Sequence, residues 1–214
     1  MSIRANALAA LAIAGLAAGA AAQTTTPAGV PPEEIGSWRL SCVTDRMTDR
    51  ADCQLRHREP VETAQGSGSS LLLEVQERGG RLVPVVIARD LTLEGAQRGL
   101  LALTGTAQLR FPPNRYFELP CGLEGRNLVC APKPEEITRA ADELATAQTV
   151  LVRMVGFGAG TGSGEPVELK LDRTREALTR YRARVPEGSG PPASQQPGLS
   201  VGEILLRLQR FFGN

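Results

Sequence analysis

The chain has 214 residues, and its 24 Lys and Arg side chains nearly balance 23 Asp and Glu, for a formal net charge of +1. A nucleic-acid-binding domain normally shows a basic excess or a basic stripe, so this balance argues against nucleic acid as a partner. The length suits a single domain with tails.

Residues 1–22 have the pattern of a cleavable secretory signal. Arg4 is their one charge, a run rich in Ala and Leu follows, and Ala20-Ala21-Ala22 form an A-x-A site before Gln23. The run is shorter than the ~20 strongly apolar residues of a membrane span, and no later stretch is apolar enough. We therefore expect an exported periplasmic protein, with association with the outer membrane or secretion as the alternatives. No transmembrane segment is expected after cleavage, and the mature chain would carry 23 basic and 23 acidic side chains.

Short alternations of apolar and polar residues predict that residues 37–184 form a mainly β domain. Trp38, Leu40 and Cys42 share one parity, which is the period of a half-buried strand. Residues 23–36 are rich in Thr, Pro and Gly and are expected to be a flexible leader. Further strands are predicted from Cys53 onward and over residues 71–75, 82–88, 100–111, 116–119, 128–130, 149–155 and 166–171. We expect an antiparallel β-sandwich or a partly closed β-barrel.

Two features near the middle of the domain constrain neighbouring strands. Gly79-Gly80 separates two apolar runs by two residues, which predicts a tight hairpin turn. Pro84 lies inside the second run and has no N–H to give to a ladder. Its position predicts an edge strand or a bulge.

One short helix is predicted after residue 134. Pro134 costs nothing at the first helical position, and the two acids after it suit the helix dipole. Apolar residues then recur at helical spacing and predict one buried stripe. They are Ile137, Ala140, Ala141 and Leu144.

A second helix is predicted from Asp172, as its N-cap, to about Arg184. Its apolar face is small and consists of Ala177, Leu178 and Tyr181. This segment also carries five arginines, which we expect to form a solvated helix face rather than a site for an anionic partner. They are Arg173, Arg175, Arg180, Arg182 and Arg184.

The C-terminal part predicts a tethered helix. Residues 185–199 are Pro, Gly, Ser and Gln with almost no large apolar side chains, so they are expected to be a disordered linker. Residues 200–214 begin with a capping box and predict an amphipathic helix. Its main apolar residues are Ile204, Leu205, Leu208, Phe211 and Phe212. This helix could dock on its own domain or adsorb weakly to the envelope; our hypothesis is that it binds a protein partner or a second copy.

The four cysteines form two close pairs whose spacing suits disulfides. Cys42 and Cys53 enclose ten residues, and Cys121 and Cys130 enclose eight. Neither pair has the C-x-x-C spacing of zinc or redox sites, and only one histidine is available. Four cysteines allow three connectivities. In an exported protein we favour the two local ones, because each pair can bridge adjacent strands of a hairpin.

No residue is predicted to be catalytic, to bind a cofactor or to hold a metal. His57 stands between charged neighbours and is expected at a solvated strand end rather than in a catalytic triad. Residues 156–164 are rich in glycine but lack the lysine of a phosphate-binding loop, so they predict a hairpin loop. Trp38 beside a cysteine, and Tyr116 and Phe117 in a strand, are expected in the core.

The cysteine pairs stand in a fixed order with other motifs. Trp38-Arg39-Leu40-Ser41-Cys42 precedes Cys53, and Tyr116-Phe117-Glu118-Leu119-Pro120-Cys121 precedes Cys130. A helix and two closing strands come next. In this order, from Trp38 to Tyr181, the chain resembles the invasion-associated locus B (IalB) family of exported bacterial proteins.

The resemblance implies a small β-rich periplasmic or envelope-associated domain of a family that has no established catalytic activity. We therefore expect a non-catalytic protein without a cofactor, acting as a protein-interaction or envelope-associated module. A periplasmic ligand-binding or chaperone-like β-sandwich is the alternative, ahead of an enzyme.

Overall fold

In the part of the chain that a computed structural model of the protein describes, ten antiparallel strands form one curled sheet, and two short helices pack on it. The structure describes residues 30–44, 46–47, 51–63, 69–91, 105–155 and 165–185. The predicted signal, the glycine-rich loop and the C-terminal helix lie outside these ranges, as does the linker beyond Val185. The strands belong to a single sheet, so the fold is the partly closed barrel of the two predicted architectures.

The sheet is antiparallel throughout, in the order β1-β2-β3-β4-β5-β8-β7-β6-β9-β10. Its first five strands are β1 (Val30–Ile35), β2 (Trp38–Thr44), β3 (Ala51–His57), β4 (Leu72–Arg78) and β5 (Arg81–Ala88). The others are β6 (Thr106–Arg110), β7 (Phe117–Glu124), β8 (Asn127–Cys130), β9 (Thr149–Val155) and β10 (Val167–Lys170). The helices are α1 (Ile137–Thr146), which comes after a 3₁₀ turn at Pro134–Glu136, and α2 (Thr174–Arg184). Neither helix has the length and apolarity that a membrane span requires.

Strand β1 occupies residues 30–35 of the predicted flexible leader, whose residues 23–29 lie outside the described ranges. Val30–Ile35 pairs with β2, and buried Ile35 stands opposite Trp38. The register shifts between Val30 and Glu33, where Pro31 and Pro32 cannot donate to the ladder. Prolines are tolerated on such an edge strand, which is why a proline-containing segment still forms part of the sheet.

Strand β7 joins the two parts of the sheet. Its first half, from Phe117 to Pro120, pairs with β6, whereas its second half, from Cys121 onward, pairs with β8. The change of partner falls between Pro120 and Cys121. One continuous strand therefore carries the sheet around the bend that makes the half-barrel.

The β4–β5 hairpin confirms the predicted turn. Gly79 and Gly80 both adopt positive φ angles, 57° and 78°, which glycine reaches without strain. Pro84 lies in a continuous β4–β5 register, so the predicted bulge is absent. The ladder of β5 to β8 begins only at Val86, so among the described residues this part of β5 has no strand partner on that side, which suits proline.

The packing of the first helix agrees with the sequence-based prediction, whereas the start of the second helix differs from it. The α1 stripe is buried as predicted, and the helix packs on β5. Helix α2 starts at Thr174 after Arg173, which has a left-handed φ of 57°, so Asp172 is not its N-cap. Thr174, Ala177 and Tyr181 are its buried residues.

The arginines of α2 are not simply a solvated face. Arg180 and Arg184 both bond Glu33 of β1, and Arg182 bonds Glu77 of β4. These ion pairs fix α2 across the strands. The predicted solvated face is therefore wrong for the residues of its last turn.

The core lies inside the curl of the sheet. Trp38 and Phe117 are fully buried, as predicted. Tyr116 is 52% exposed, so its prediction as a core residue is wrong. Successive side chains of an extended chain point to opposite sides, so Phe117 and Tyr116 cannot both face the core.

Candidate functional site

Both cysteine pairs form the predicted local disulfides. Cys42 stands directly opposite Cys53 on β2 and β3, and Cys121 stands opposite Cys130 on β7 and β8. The Cα atoms are 4.0 Å and 3.9 Å apart. Each disulfide therefore links two strands that are already hydrogen-bonded neighbours, and the second lies where β7 changes partner.

Both disulfides lie on the same face of the sheet. In a sheet, directly paired residues share a face, and so do residues two positions apart on one strand. The registers connect the pairs through Cys53, Leu55, Val75, Leu73, Val86 and Cys130. Helix α2 covers this face at one end, where Arg184 Nη1 lies 4.0 Å from Cys42 Sγ.

His57 is buried, which corrects the prediction of a solvated strand end. It is 2% exposed, and its ring meets Trp38 edge-on with centroids 5.6 Å apart. Nδ1 accepts the Glu59 N–H at 3.1 Å, which leaves Nε2–H to donate to the Lys170 carbonyl at 2.9 Å. His57 shares the parity of Cys53 and Leu55, and that signal predicts a buried position.

A set of contacts closes the half-barrel between its two ends. Ser37 N–H donates to the Asp172 carbonyl at 3.2 Å, and Asp172 N–H donates to Ser37 Oγ at 3.0 Å. A Cβ added to Gly36 would lie 2.3 Å from the Asp172 carbonyl oxygen, so only glycine fits this approach. With the His57–Lys170 bond, these contacts form what we call the clasp.

A cleft opens where β3 and β4 separate. The two strands pair only through Leu55↔Val75 and Arg56↔Glu74, whereas β2 and β3 pair along seven residues. Beyond this short ladder lies a cavity of about 230 Å³. Its lining comes from strands, the loops beside them and α2: Ala51, Asp52, Cys53, Gln54, Glu74, Val75, Gln76, Glu77, Arg89, Glu124, Tyr181 and Val185.

Three acids of the cleft are bonded to arginines. The Arg89 guanidinium donates two hydrogen bonds, of 2.9 and 2.6 Å, to the buried carboxylate of Glu74. Two further pairs, which we group with it as the cleft ion pairs, are Arg182–Glu77 and Arg78–Glu124, with nearest N–O distances of 3.1 and 2.7 Å. The hydrogen bond to Glu74 raises the pKa of Arg89, and it outweighs desolvation by burial, which lowers this pKa. Each of these carboxylates is thus neutralised by its own partner.

Tyr181 of α2 lies over the same cleft. The residue is only 6% exposed, and burial, followed by the nearby charges of Glu74, Asp52 and Glu77, raises its pKa to about 12. Within the described part of the chain its hydroxyl makes no hydrogen bond. The linker is predicted to start at residue 185, but Val185 is buried and lines the cleft.

A second depression of about 330 Å³ lies at the start of β7 and the 3₁₀ turn. It is lined by side chains of both charges: Arg115, Tyr116, Glu118, Lys133, Glu135 and Glu136. Beside it, Arg139 stacks 3.6 Å above the centre of the Phe117 ring. Its lining is mostly exposed, so it is a surface recess rather than a built pocket. Over the described ranges, no group of three or more His, Cys, Asp or Glu residues is placed to hold a metal ion.

The sequence does not predict the cleft. The predicted strand at residues 71–75 ends before Gln76 and Glu77, and no local pattern gives Arg89 a role. The available signal is the polar run Gln76-Glu77-Arg78, which continues a strand with charged residues of both parities. The pairing of Arg89 with Glu74 has no local sequence pattern.

The fold and its cysteines define a disulfide-linked antiparallel half-barrel. No family model matches the chain, and neither a curated protein nor a solved structure matches it.

Proposed function

We propose that this chain is a non-catalytic exported protein of the IalB type, which acts in the periplasm or at the envelope as an interaction module. The observation that carries the proposal is the pair of disulfides across hydrogen-bonded strands. Such bonds form and persist in oxidising compartments. The signal-like residues 1–22 would deliver the chain to one, and the order of motifs from Trp38 to Tyr181 supports the family.

The state of the cleft carboxylates supports a binding role over catalysis. A general acid or base must exchange a proton with substrate during the reaction. Glu74 and Glu77 are buried and bonded to guanidinium groups, which occupy lone pairs of the two carboxylates. Such groups suit a binding site of fixed shape and charge distribution rather than proton transfer to or from a substrate.

We place association in residues 200–214. Their apolar residues recur at helical spacing, as in segments that bind a groove of a partner or a second copy. The alternative for this segment, weak adsorption to the envelope, uses the same apolar stripe. The near-zero charge of the mature chain gives nucleic acid no electrostatic attraction.

Export and association can be tested in one bacterial host. The full chain should lose residues 1–22 and fractionate with the periplasm or the envelope, with no thiol that reacts before reduction. Deleting residues 198–214 should change its sedimentation or its release from the envelope. A cytoplasmic, uncleaved and reduced chain would overturn the export proposal; unchanged sedimentation and fractionation after the deletion would overturn the role of the helix.

A second candidate function is the binding of a small ligand by the β domain. The cleft between β3 and β4 favours it, because buried polar groups from strands, a loop and α2 converge on one cavity. This function would be compatible with export and would need neither a cofactor nor a metal.

A further inference from the structure

The Cys42–Cys53 disulfide, which we call the cleft disulfide, borders the cleft. The β3–β4 ladder includes Leu55 and Arg56 but not Cys53, which lines the cleft instead. In thiol–disulfide exchange a thiolate attacks one sulfur along the line of the bond, from the side opposite the leaving sulfur. The disulfide spans β2 and β3, so the approach to Cys53 comes from the direction of β4, where the cleft is open. A small thiol in the cleft can therefore reach Cys53.

The Cys121–Cys130 disulfide has no such opening among the described residues. Beyond Cys130 lies its ladder partner Val86 of β5, and on the other flank Cys121 N–H donates to the Gly105 carbonyl at 3.2 Å. Exposure does not separate the two disulfides, because Cys53 and Cys121 are both 8% exposed. The line of attack does separate them, since neighbouring chain segments occupy both ends of the second disulfide.

The charges around the cleft disulfide favour Cys42 as the leaving sulfur. Arg184 Nη1 lies 4.0 Å from Cys42 Sγ, while Arg184 Nη2 donates to Glu33 at 3.0 Å, which holds the guanidinium in place. A cationic neighbour stabilises a thiolate, and a thiol of lower pKa leaves faster. Cys121 Sγ lies instead 3.9 Å from the Leu119 carbonyl oxygen, whose partial negative charge opposes a thiolate.

The acids of the cleft do not close this route to a thiolate. Three of the four acids in its lining are neutralised in the cleft ion pairs. The fourth, Asp52, is exposed, so water and salt screen its charge. The cavity of about 230 Å³ is close to the liquid volume of roughly seven waters, and it admits a thiol of a few heavy atoms.

We propose that Cys53 is a site of thiol–disulfide exchange, at which a small thiol entering the cleft opens the cleft disulfide. The thiolate of the small molecule attacks Cys53 Sγ, the bond between the two cysteine sulfurs breaks, and its electron pair stays on Cys42 Sγ beside Arg184. The product is a mixed disulfide on Cys53. A second thiolate can attack the sulfur of the bound molecule and release Cys53 as a thiolate. The protein then holds the two electrons that the two small thiols have lost in forming their own disulfide.

This reactivity is additional to the proposed interaction role and is compatible with it. The cleft disulfide joins strands that pair along seven residues, so its opening leaves the β2–β3 ladder in place. In surroundings without a thiol, the exported chain keeps both disulfides closed, because exchange needs an attacking thiolate.

The test is the rate at which 2-mercaptoethanol opens each disulfide of the oxidised, purified chain. Samples are quenched with acid, alkylated with N-ethylmaleimide and mapped by peptide mass spectrometry. The cleft disulfide should open at least ~10-fold faster than the Cys121–Cys130 disulfide, at a rate proportional to the thiol concentration. In the earliest samples the mercaptoethanol adduct should be on Cys53 and the maleimide on Cys42.

Two arginines of α2 provide a matched pair of variants. Arg180 and Arg184 both bond Glu33, and of the two it is Arg184 that lies beside Cys42 Sγ. Arg184→Gln should slow the opening of the cleft disulfide about 3–10-fold, whereas Arg180→Gln should stay within about 2-fold of wild type. The second disulfide in the same sample detects any general loosening of the fold, because unfolding exposes both disulfides together.

Three results would each overturn the inference. They are equal opening rates for the two disulfides, a first adduct on Cys42, and an opening rate of Arg184→Gln within about 2-fold of wild type. Any of them would leave export and association untouched, because those are read by fractionation and sedimentation.

Discussion

The indole Nε1–H of Trp38 donates a buried 2.9 Å hydrogen bond to Oγ1 of Thr174, which lies 136 residues later in the chain. Thr174 in turn donates to the Leu171 carbonyl at 2.9 Å. The hydroxyl therefore joins β2, the residue that follows β10 and the first turn of α2. This bond lies next to the clasp and helps to hold the two ends of the half-barrel together.

Thr174→Val should destabilise the fold by about 1–3 kcal/mol, because it leaves a buried indole N–H without an acceptor. Thr174→Ser keeps the hydroxyl and should recover most of the loss. Urea unfolding of both variants, each also combined with Trp38→Phe, measures the coupling between the two side chains. A loss for serine without a loss for valine would show that the methyl group, rather than the bond, stabilises this contact.

The clasp makes a prediction for His57. His57→Ala removes a buried ring and both of its hydrogen bonds, so it should cost about 2–4 kcal/mol in the free energy of unfolding. Arg58→Ala is the neighbouring control: Arg58 is exposed and bonds exposed Glu34, so its loss should stay within about 1 kcal/mol. Hydrogen exchange should also rise at Lys170 and Leu171 in the His57 variant. A cost no larger than that of the control would mean that the ring does not hold β10 in place.

Most of the fold could be predicted from local patterns. The parity of Trp38, Leu40 and Cys42, the α1 stripe and Gly79-Gly80 are all features in which near neighbours determine the structure. Strand β1 escapes prediction because Pro31 and Pro32 normally end a strand, and only its position at the edge makes them acceptable. The single curled sheet depends on the change of partner at Pro120, which no short pattern shows.

The cleft could not be predicted for a similar reason. It exists because the β3–β4 ladder stops after Arg56↔Glu74, and because Arg89, 15 positions further on, neutralises the same acid. Strand registers and ion pairs of this kind are determined by packing between residues that lie far apart in the sequence. His57 is different: its parity with Leu55 is visible in the sequence and indicates burial, whereas its charged neighbours favour solvent.

The two disulfides should stabilise the protein by similar amounts. Their sequence separations are 11 and 9, and loops of this size contribute about 2–3 kcal/mol each by restricting the unfolded chain. We expect Cys42→Ala/Cys53→Ala and Cys121→Ala/Cys130→Ala to lower the unfolding free energy by that amount. The unfolding of the oxidised and reduced wild type is the matched comparison. An equal urea midpoint for both forms would contradict a stabilising role.

Removing the arginine of a cleft ion pair should cost more stability than removing the arginine of a surface ion pair. Arg89→Met leaves Glu74, whose side chain is 1% exposed, as an uncompensated buried charge, and should cost about 3–5 kcal/mol. Adding Glu74→Met should recover part of this loss, because the charge is then removed. Arg81→Met breaks the exposed pair with Asp142 and should cost less than about 1 kcal/mol. Similar losses for Arg89→Met and Arg81→Met in thermal unfolding would show that Glu74 is solvated.

The raised pKa of Tyr181 predicts that the protein loses stability at alkaline pH. Burial and the neighbouring acids raise its pKa from 10.0 in the free side chain to about 12 in the fold. Between these values the unfolded chain has lost the proton and the folded chain keeps it, so unfolding releases a proton and stability falls as the pH rises. The contribution is complete below pH 10, and it declines by up to about 1.4 kcal/mol per pH unit until pH 12.

An absorbance titration of the phenolate measures this directly, since the chain has only two tyrosines. Tyr181→Phe should remove the late ionisation near pH 12 and flatten the alkaline loss of stability. Tyr116→Phe, the exposed control, should keep both. A late step that persists in Tyr181→Phe would place the shifted phenol elsewhere. It would also mean that the Tyr181 side chain does not lie buried over the cleft.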